Sequence, residues 1–247
     1  MYKRQQLYTI PVNEAIDKNE ECLFCTLNKK VEEDILNYIL GPSYMEEDIR
    51  SETDKIGFCK KHYSQMYKAQ NRLGVALILS THMKNIRQNL NEIFKDELNE
   101  TNHTIKKNLF RKNEEQTKSV EYISEIENSC YACKRMESRM NSYIDTFFYL
   151  WKKEDDFREK ILNSKGFCLE HFNMIIKEGK KKLSSDKYKD FLTVLVPLEL
   201  KNLDLLQEDI DWFIQKFDYR FKDEPWKNSK DALQRTILKV SSENVEE

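Results

Sequence analysis

Eight residues of this chain have the types and spacing of metal ligands. Cys22 and Cys25 form a C-x-x-C within EECLFCTL, and Cys59 and His62 follow in GFCKKH. Cys130 and Cys133 form a second C-x-x-C within NSCYACKR, and Cys168 and His171 follow in GFCLEH. Between the halves lie 33 residues in the first copy and 34 in the second, and all six cysteines of the chain belong to the pattern. A C-x-x-C turn brings two thiolates to one point. A C-x-x-H places its ligands at i and i+3, on one face of a helix. Gly57 and Gly166, two residues before Cys59 and Cys168, suit a backbone turn into that helix. Three soft sulfurs and one imidazole match closed, tetrahedral zinc, so two zinc ions per chain are expected.

Other uses of the cysteines fare less well. No secretory signal is visible at the start of the chain, so a cytoplasmic protein with reduced thiols is expected and a disulfide framework is disfavoured. Covalent haem needs C-x-x-C-H, whereas Thr26 and Lys134 follow these pairs. A thioredoxin-like pair would need a βαβ context that the pattern lacks. Iron–sulfur ligation by the same residues stays open as an alternative to zinc. Each site closing within its own copy is the simplest arrangement. The first C-x-x-C meeting the second C-x-x-H is the swapped alternative.

Four protein ligands leave no open position of the kind catalytic zinc keeps. Glu20, Glu21 and Glu170 lie near the ligands in sequence, but neither H-x-E nor H-E-x-x-H spacing is present. No P-loop, Rossmann glycine fingerprint, G-x-S-x-G or kinase set occurs either, and no catalytic residue is assigned. A zinc ion with three thiolates carries a formal charge of about −1, which Lys60, Lys61, Lys134 and Arg135 beside the ligands can offset. Structural zinc typically contributes about 10–16 kcal/mol of apparent binding free energy, comparable to the stability of a whole domain.

The elements that must position these ligands read as helices. With 34% charged residues, five Gly and four Pro, the composition is helix-rich and poor in turn formers. A helix is expected from Leu27 to Leu40, stopped by Gly41 and Pro42. Met136, Met140, Tyr143, Phe147 and Leu150 mark the apolar face of another. After His62, Ala76, Leu79, Met83, Ile86, Leu90 and Ile93 form a stripe of bundle-packing type. The pattern after His171 breaks near Ser184 and Ser185, and a long helix over about Lys187–Phe217 follows, kinked or divided at Pro197. The expected architecture is all-α: a bundle of two internally repeated, zinc-clasped helical hairpins plus a long C-terminal helix. Its divisions are residues 1–95 as the first repeat, 96–118 as a linker, 119–185 as the second repeat, and 186–247 as the C-terminal helix and docking segment. His82 and His103 read as surface histidines, Lys180 to Lys182 as a solvated helix face, and SSENVEE as a frayed tail.

From Lys216 to Ile237 no helical stripe precedes Pro225. Asp218, Tyr219, Arg220, Trp226, Lys230, Asp231 and Arg235 combine aromatic and charged groups there, as binding surfaces do. The competing interpretation is a segment wrapped back over the bundle on Tyr219 and Trp226. Ser229 is placed to cap a final helix bearing Ala232, Leu233, Ile237 and Leu238.

The combination of YTIPVNEA, the doubled C-x-x-C with GFC-x-x-H, and FDYRF…PW…KDAL resembles an uncharacterised family of Gram-positive bacterial helical proteins, a domain of unknown function. The resemblance covers nearly the whole chain and implies an all-helical, zinc-binding protein with no known activity. A net charge of −2 argues against a nucleic-acid partner, and no apolar run is long enough to span a membrane. The function expected is that of a zinc-stabilised helical adaptor or regulatory protein acting on a protein partner. A thiol/zinc redox or metal-sensing switch, and an enzyme or electron-transfer protein with an iron–sulfur centre, are the alternatives.

Overall fold

A computed structural model describes residues 7–104 and 117–245, and among these the chain is all-α, without strands. It forms two compact units, Met1–Val31 with Ser138–Glu247, and Glu32–Glu137. The unit boundaries cut across both sequence copies, and each falls inside a helix.

In the first unit lie α1 (Thr9–Asp17), the start of α2 (Leu23–Leu40), most of α7 (Tyr131–Lys153), α8 (Asp155–Leu162), α9 (Leu169–Lys182), α10 (Ser185–Gln215) and α11 (Ala232–Ser241). The core is aromatic. Phe147 sits at its centre, with ring centroids 5.6 Å from Phe24, 5.5 Å from Phe157 and 6.1 Å from Phe167, while Trp151 meets Phe191 edge-on at 4.9 Å. Such pairs add about 0.5–1.5 kcal/mol each beyond the area they bury. Met140 on the expected face is only half-buried, whereas Met136, Tyr143, Phe147 and Leu150 are buried.

Pro197 does not divide α10, which runs unbroken through it. A proline inside a helix costs about 3 kcal/mol. Burial of Phe191, Leu195, Leu198 and Leu206 on the inner face offsets this, at about 1.5–3 kcal/mol per side chain.

The second unit holds the rest of α2, a 3-10 turn (Pro42–Met45), α3 (Glu47–Ile56), α4 (Lys60–Lys68), α5 (Arg72–Thr104), α6 (Lys118–Asn128) and the first turns of α7. The expected stripe on α5 is displaced. Ala76 and Leu79 are exposed and Met83 is 62% exposed, while Val75, Ile78 and His82 are buried. The inward face contains polar residues that an apolar count passes over. His82, read as a surface histidine, bonds through Nδ1 to the Asp54 carbonyl at 2.7 Å, and Asn89 donates to the Tyr122 hydroxyl at 3.0 Å. Helix α5 continues through Asp96 to Thr104, where the linker was expected; residues 105–116 of that linker and the side chain of His103 lie outside the described residues, and Lys118 already begins α6.

The segment after α10 wraps back. Lys216 Nζ donates to the carbonyls of Phe221, Lys222 and Glu224 at 2.6, 2.8 and 2.5 Å, and Trp212 Nε1 donates to the Pro225 carbonyl at 3.0 Å. Trp226 is half-buried, 6.0 Å from Phe213. Ser229 does not cap α11 with its side chain. Its hydroxyl donates to the Trp226 carbonyl at 2.7 Å, and Asp231 occupies the cap position.

Candidate metal centres

Four short helical starts build two clusters. Leu23, Lys60, Tyr131 and Leu169 each begin a helix one residue after Cys22, Cys59, Cys130 and Cys168. The carbonyls of these cysteines accept the first intrahelical bonds, at 3.1, 3.0, 3.0 and 2.8 Å. Each cluster therefore faces the positive ends of two helices, which favour thiolates. The helices start within the C-x-x-C motifs, so α2 begins at Leu23 instead of Leu27, and Cys25 and Cys133 lie in first turns.

The pairing is swapped. Cys22 and Cys25 meet Cys168 and His171 in the first unit, while Cys59 and His62 meet Cys130 and Cys133 in the second. Closure within each sequence copy, the simplest expectation, is thereby corrected. Its physical reason lies in the local tertiary contacts of each unit. In the second, Tyr131 N–H donates to the Gly57 carbonyl at 2.9 Å and Ser129 Oγ to the Ile56 carbonyl at 2.5 Å, joining the second C-x-x-C to the first GFC turn. In the first, buried Lys239 of α11 donates to the carbonyls of Glu21 (3.2 Å) and Lys165 (2.6 Å), which precede the first C-x-x-C and the second GFC turn.

Within each cluster the ligand atoms all lie within 4.8 Å of one another. His171 Nδ1 is 3.5, 3.4 and 3.0 Å from the sulfurs of Cys22, Cys25 and Cys168, and Cys25 Sγ is 3.5 Å from Cys168 Sγ. His62 Nδ1 is 3.2, 3.2 and 3.5 Å from Cys59, Cys130 and Cys133, and Cys59 Sγ is 3.9 Å from Cys133 Sγ. A tetrahedral ion with ordinary zinc bond lengths needs sulfur–sulfur edges of roughly 3.8 Å and sulfur–nitrogen edges of roughly 3.5 Å. The donor sets fit a metal ion once the closest pairs move apart by up to about 0.5 Å, and either cluster could hold one.

Outer groups differ between the clusters. His62 Nε2 lies 3.1 Å from Glu32 Oε1, which also pairs with Lys61 at 2.7 Å; this orients the ring and leaves Nδ1 for a metal. Burial, assisted by Lys61 and opposed by Glu32, lowers the pKa of His62 and keeps it neutral. In the first unit Ser242 Oγ lies 3.1 Å from Cys168 Sγ, so the first residue of the expected tail beyond α11 touches the cluster. His171 behaves oppositely to His62. Burial acts to lower it, but the hydrogen bonds and charges of Cys168 and Cys22 outweigh burial and push it up to about 10. Hydrogen bonds from Cys22 and Cys25 hold the Cys168 thiol far below the usual range, while hydrogen bonding to Cys168 and Cys22, with burial, pushes the Cys25 thiol up.

At pH 7 the metal-free His171 carries a proton that a metal must displace, whereas His62 does not. In the metal-free protein His171 should therefore stay an imidazolium above neutral pH, while His62 is already a neutral imidazole there. Histidine-ring NMR of the metal-free protein across pH would detect this, and a neutral His171 at pH 7 would contradict it.

Both GFC turns depend on their glycines. Gly57 and Gly166 have φ of +65° and +77°. A Cβ at Gly57 would strike the His82 ring, and one at Gly166 would strike the Glu199 carboxylate, which accepts the Phe167 N–H at 2.9 Å. Gly166→Ala should cost about 1–3 kcal/mol from backbone strain alone, and more from displacing Glu199. Denaturant melts of the zinc-loaded protein would measure it, and an unchanged midpoint would contradict the turn's role.

The seven residues placed in a docking segment divide. Arg235 is turned inward, bonding Asp209 at 2.8 Å and Asp231 at 2.9 Å and lying 3.5 Å from Glu21. Arg220 pairs with Asp218 at 2.6 Å on the surface, and Lys230 and Asp231 are exposed. Tyr219, one of the two expected anchors, is 86% exposed. Glu32, Glu199, Lys239 and Ser242 were not anticipated around the clusters. Each lies far in sequence from the ligands it supports, and no local spacing points to it.

No described helix is long and apolar enough to cross a membrane. No curated protein and no solved structure matches the chain. The model of the Family of unknown function (DUF6062) matches residues 3–247, and the chain belongs to that family.

Proposed function

We propose that the protein is a zinc-stabilised helical adaptor, each of two zinc ions stapling segments distant in sequence so that a fixed surface is presented to a protein partner. The observation that carries this reading is the closed donor set: four protein ligands converge within 4.8 Å in each cluster, leaving no position for a substrate. The ions supply folding free energy and charge neutralisation for the thiolates. Exposed Phe217 and Tyr219, beside exposed Ile214, support a binding surface at the end of α10.

The test pairs elemental analysis with affinity capture from extract of the native source. Two zinc ions per chain and a colourless protein are expected. A partner set retained by wild type and lost by Phe217→Ser/Tyr219→Ser, at unchanged zinc content and melting temperature, would support the adaptor. Identical sets would remove this surface from the claim, and iron with a visible band would replace structural zinc by electron transfer. The exposure of Cys133 favours a second reading, a zinc site that responds to oxidants.

A further inference from the structure

The two clusters share a ligand set but not an environment. In the first unit Cys22, Cys168 and His171 are buried, Cys25 is half-buried, and Ser242 stands against Cys168. In the second, Cys133 is exposed and Cys59 half-exposed, while Cys130 and His62 are buried. Proximity alone would favour oxidation of the first cluster, where Cys25 and Cys168 are 3.5 Å apart, over Cys59 and Cys133 at 3.9 Å. Access favours the reverse, because a peroxide must reach the attacking sulfur in line.

We propose that the second-unit cluster is a thiol-modification site for hydroperoxides, with Cys133 as the attacking sulfur and Cys59 as its resolving partner, while the first-unit cluster stays reduced. This rests on the zinc reading above. The Cys133 thiolate attacks one peroxide oxygen, the O–O bond breaks, and hydroxide leaves, giving a sulfenic acid. The Cys59 thiolate then attacks that sulfur, the S–S bond forms, and a second hydroxide leaves. Two protons from solvent complete the balance: two thiolates, one hydrogen peroxide and two protons give one disulfide and two waters. Cys130 is the less available partner, being buried and held by the Cys133 N–H, 3.4 Å from its sulfur. Losing two of four ligands releases the ion from this cluster and frees the contact that joins the start of α7 to the Gly57 turn.

The experiment uses the full chain loaded with two zinc ions, treated with equimolar hydrogen peroxide beside a colour-forming zinc chelator. One zinc should leave at least about ten-fold faster than the other. Peptide mapping after alkylation should find the Cys59–Cys133 disulfide with Cys22, Cys25 and Cys168 reduced, and reductant with zinc should restore the starting state. In Cys133→His, which keeps four ligands, the fast phase should vanish. Simultaneous release of both ions, or a first disulfide between Cys25 and Cys168, would overturn the proposal while leaving structural zinc intact. Fewer than two zinc ions bound before peroxide is added would instead overturn the zinc reading itself.

Discussion

Cys168→Ser is expected to cost the protein one zinc ion and the folded state of its first unit. Cys168 is 0% exposed, caps α9, and lies within 3.5 Å of both Cys25 Sγ and His171 Nδ1. Serine is a poor zinc ligand at neutral pH, and the three ligands left would hold a buried, incompletely coordinated ion. Structural zinc typically contributes about 10–16 kcal/mol of apparent binding free energy, against a domain stability of about 5–15 kcal/mol. Losing even half of that is enough to unfold the unit at ordinary temperature. Circular dichroism melts with zinc counted on the same sample would show it. Two zinc ions retained with an unchanged melt would refute a structural role for this cluster. Cys133→Ser should be milder, because its exposed position lets water replace the lost sulfur.

The second large effect is expected at Lys239, which is 0% exposed. Its ammonium donates to the carbonyls of Glu21 and Lys165 and lies 3.7 Å from both Glu21 Oε2 and Glu199 Oε1. Lys239→Met keeps the apolar stem but leaves two carbonyls and a buried carboxylate uncompensated, which should cost about 3–5 kcal/mol. Burial already raises the Glu199 carboxyl, with Lys239 and the Phe167 N–H opposing it. Without Lys239 it rises further, so the folded variant binds a proton that the unfolded chain sheds. Stability gained this way is present at low pH and lost as pH rises through the folded value. The variant's deficit should therefore grow from acid towards neutral pH, and Glu199→Gln in the same background should flatten that dependence. A deficit independent of pH would show that Glu199 is not the group left unpaired.

The residues of the two candidate clusters were legible because metal binding demands both residue types and close spacing, which C-x-x-C and C-x-x-H supply. Helical architecture was legible for a similar reason, since periods such as Met136, Tyr143, Phe147 and Leu150 repeat locally. What pairs with what was not. Pairing is fixed by contacts such as Tyr131 to Gly57 and Lys239 to Glu21 and Lys165, which span up to 218 positions and leave no local trace. Helix α5 was expected and is present, but its buried face was misplaced for another reason. Its buried face is partly polar, through His82 and Asn89, so counting apolar residues selected Leu79 and Met83 on the solvent side. Arg235 looked like a binding residue by type, but its three carboxylate neighbours turn it inward.

The swapped closure of the two clusters is tested most directly by counting zinc in two quadruple variants. One removes Cys22, Cys25, Cys168 and His171 together (C22S/C25S/C168S/H171N), and the other removes Cys22, Cys25, Cys59 and His62 (C22S/C25S/C59S/H62N). The swapped structure predicts one zinc ion per chain in the first variant and none in the second. Closure within each sequence copy predicts the reverse, and that result would contradict the account.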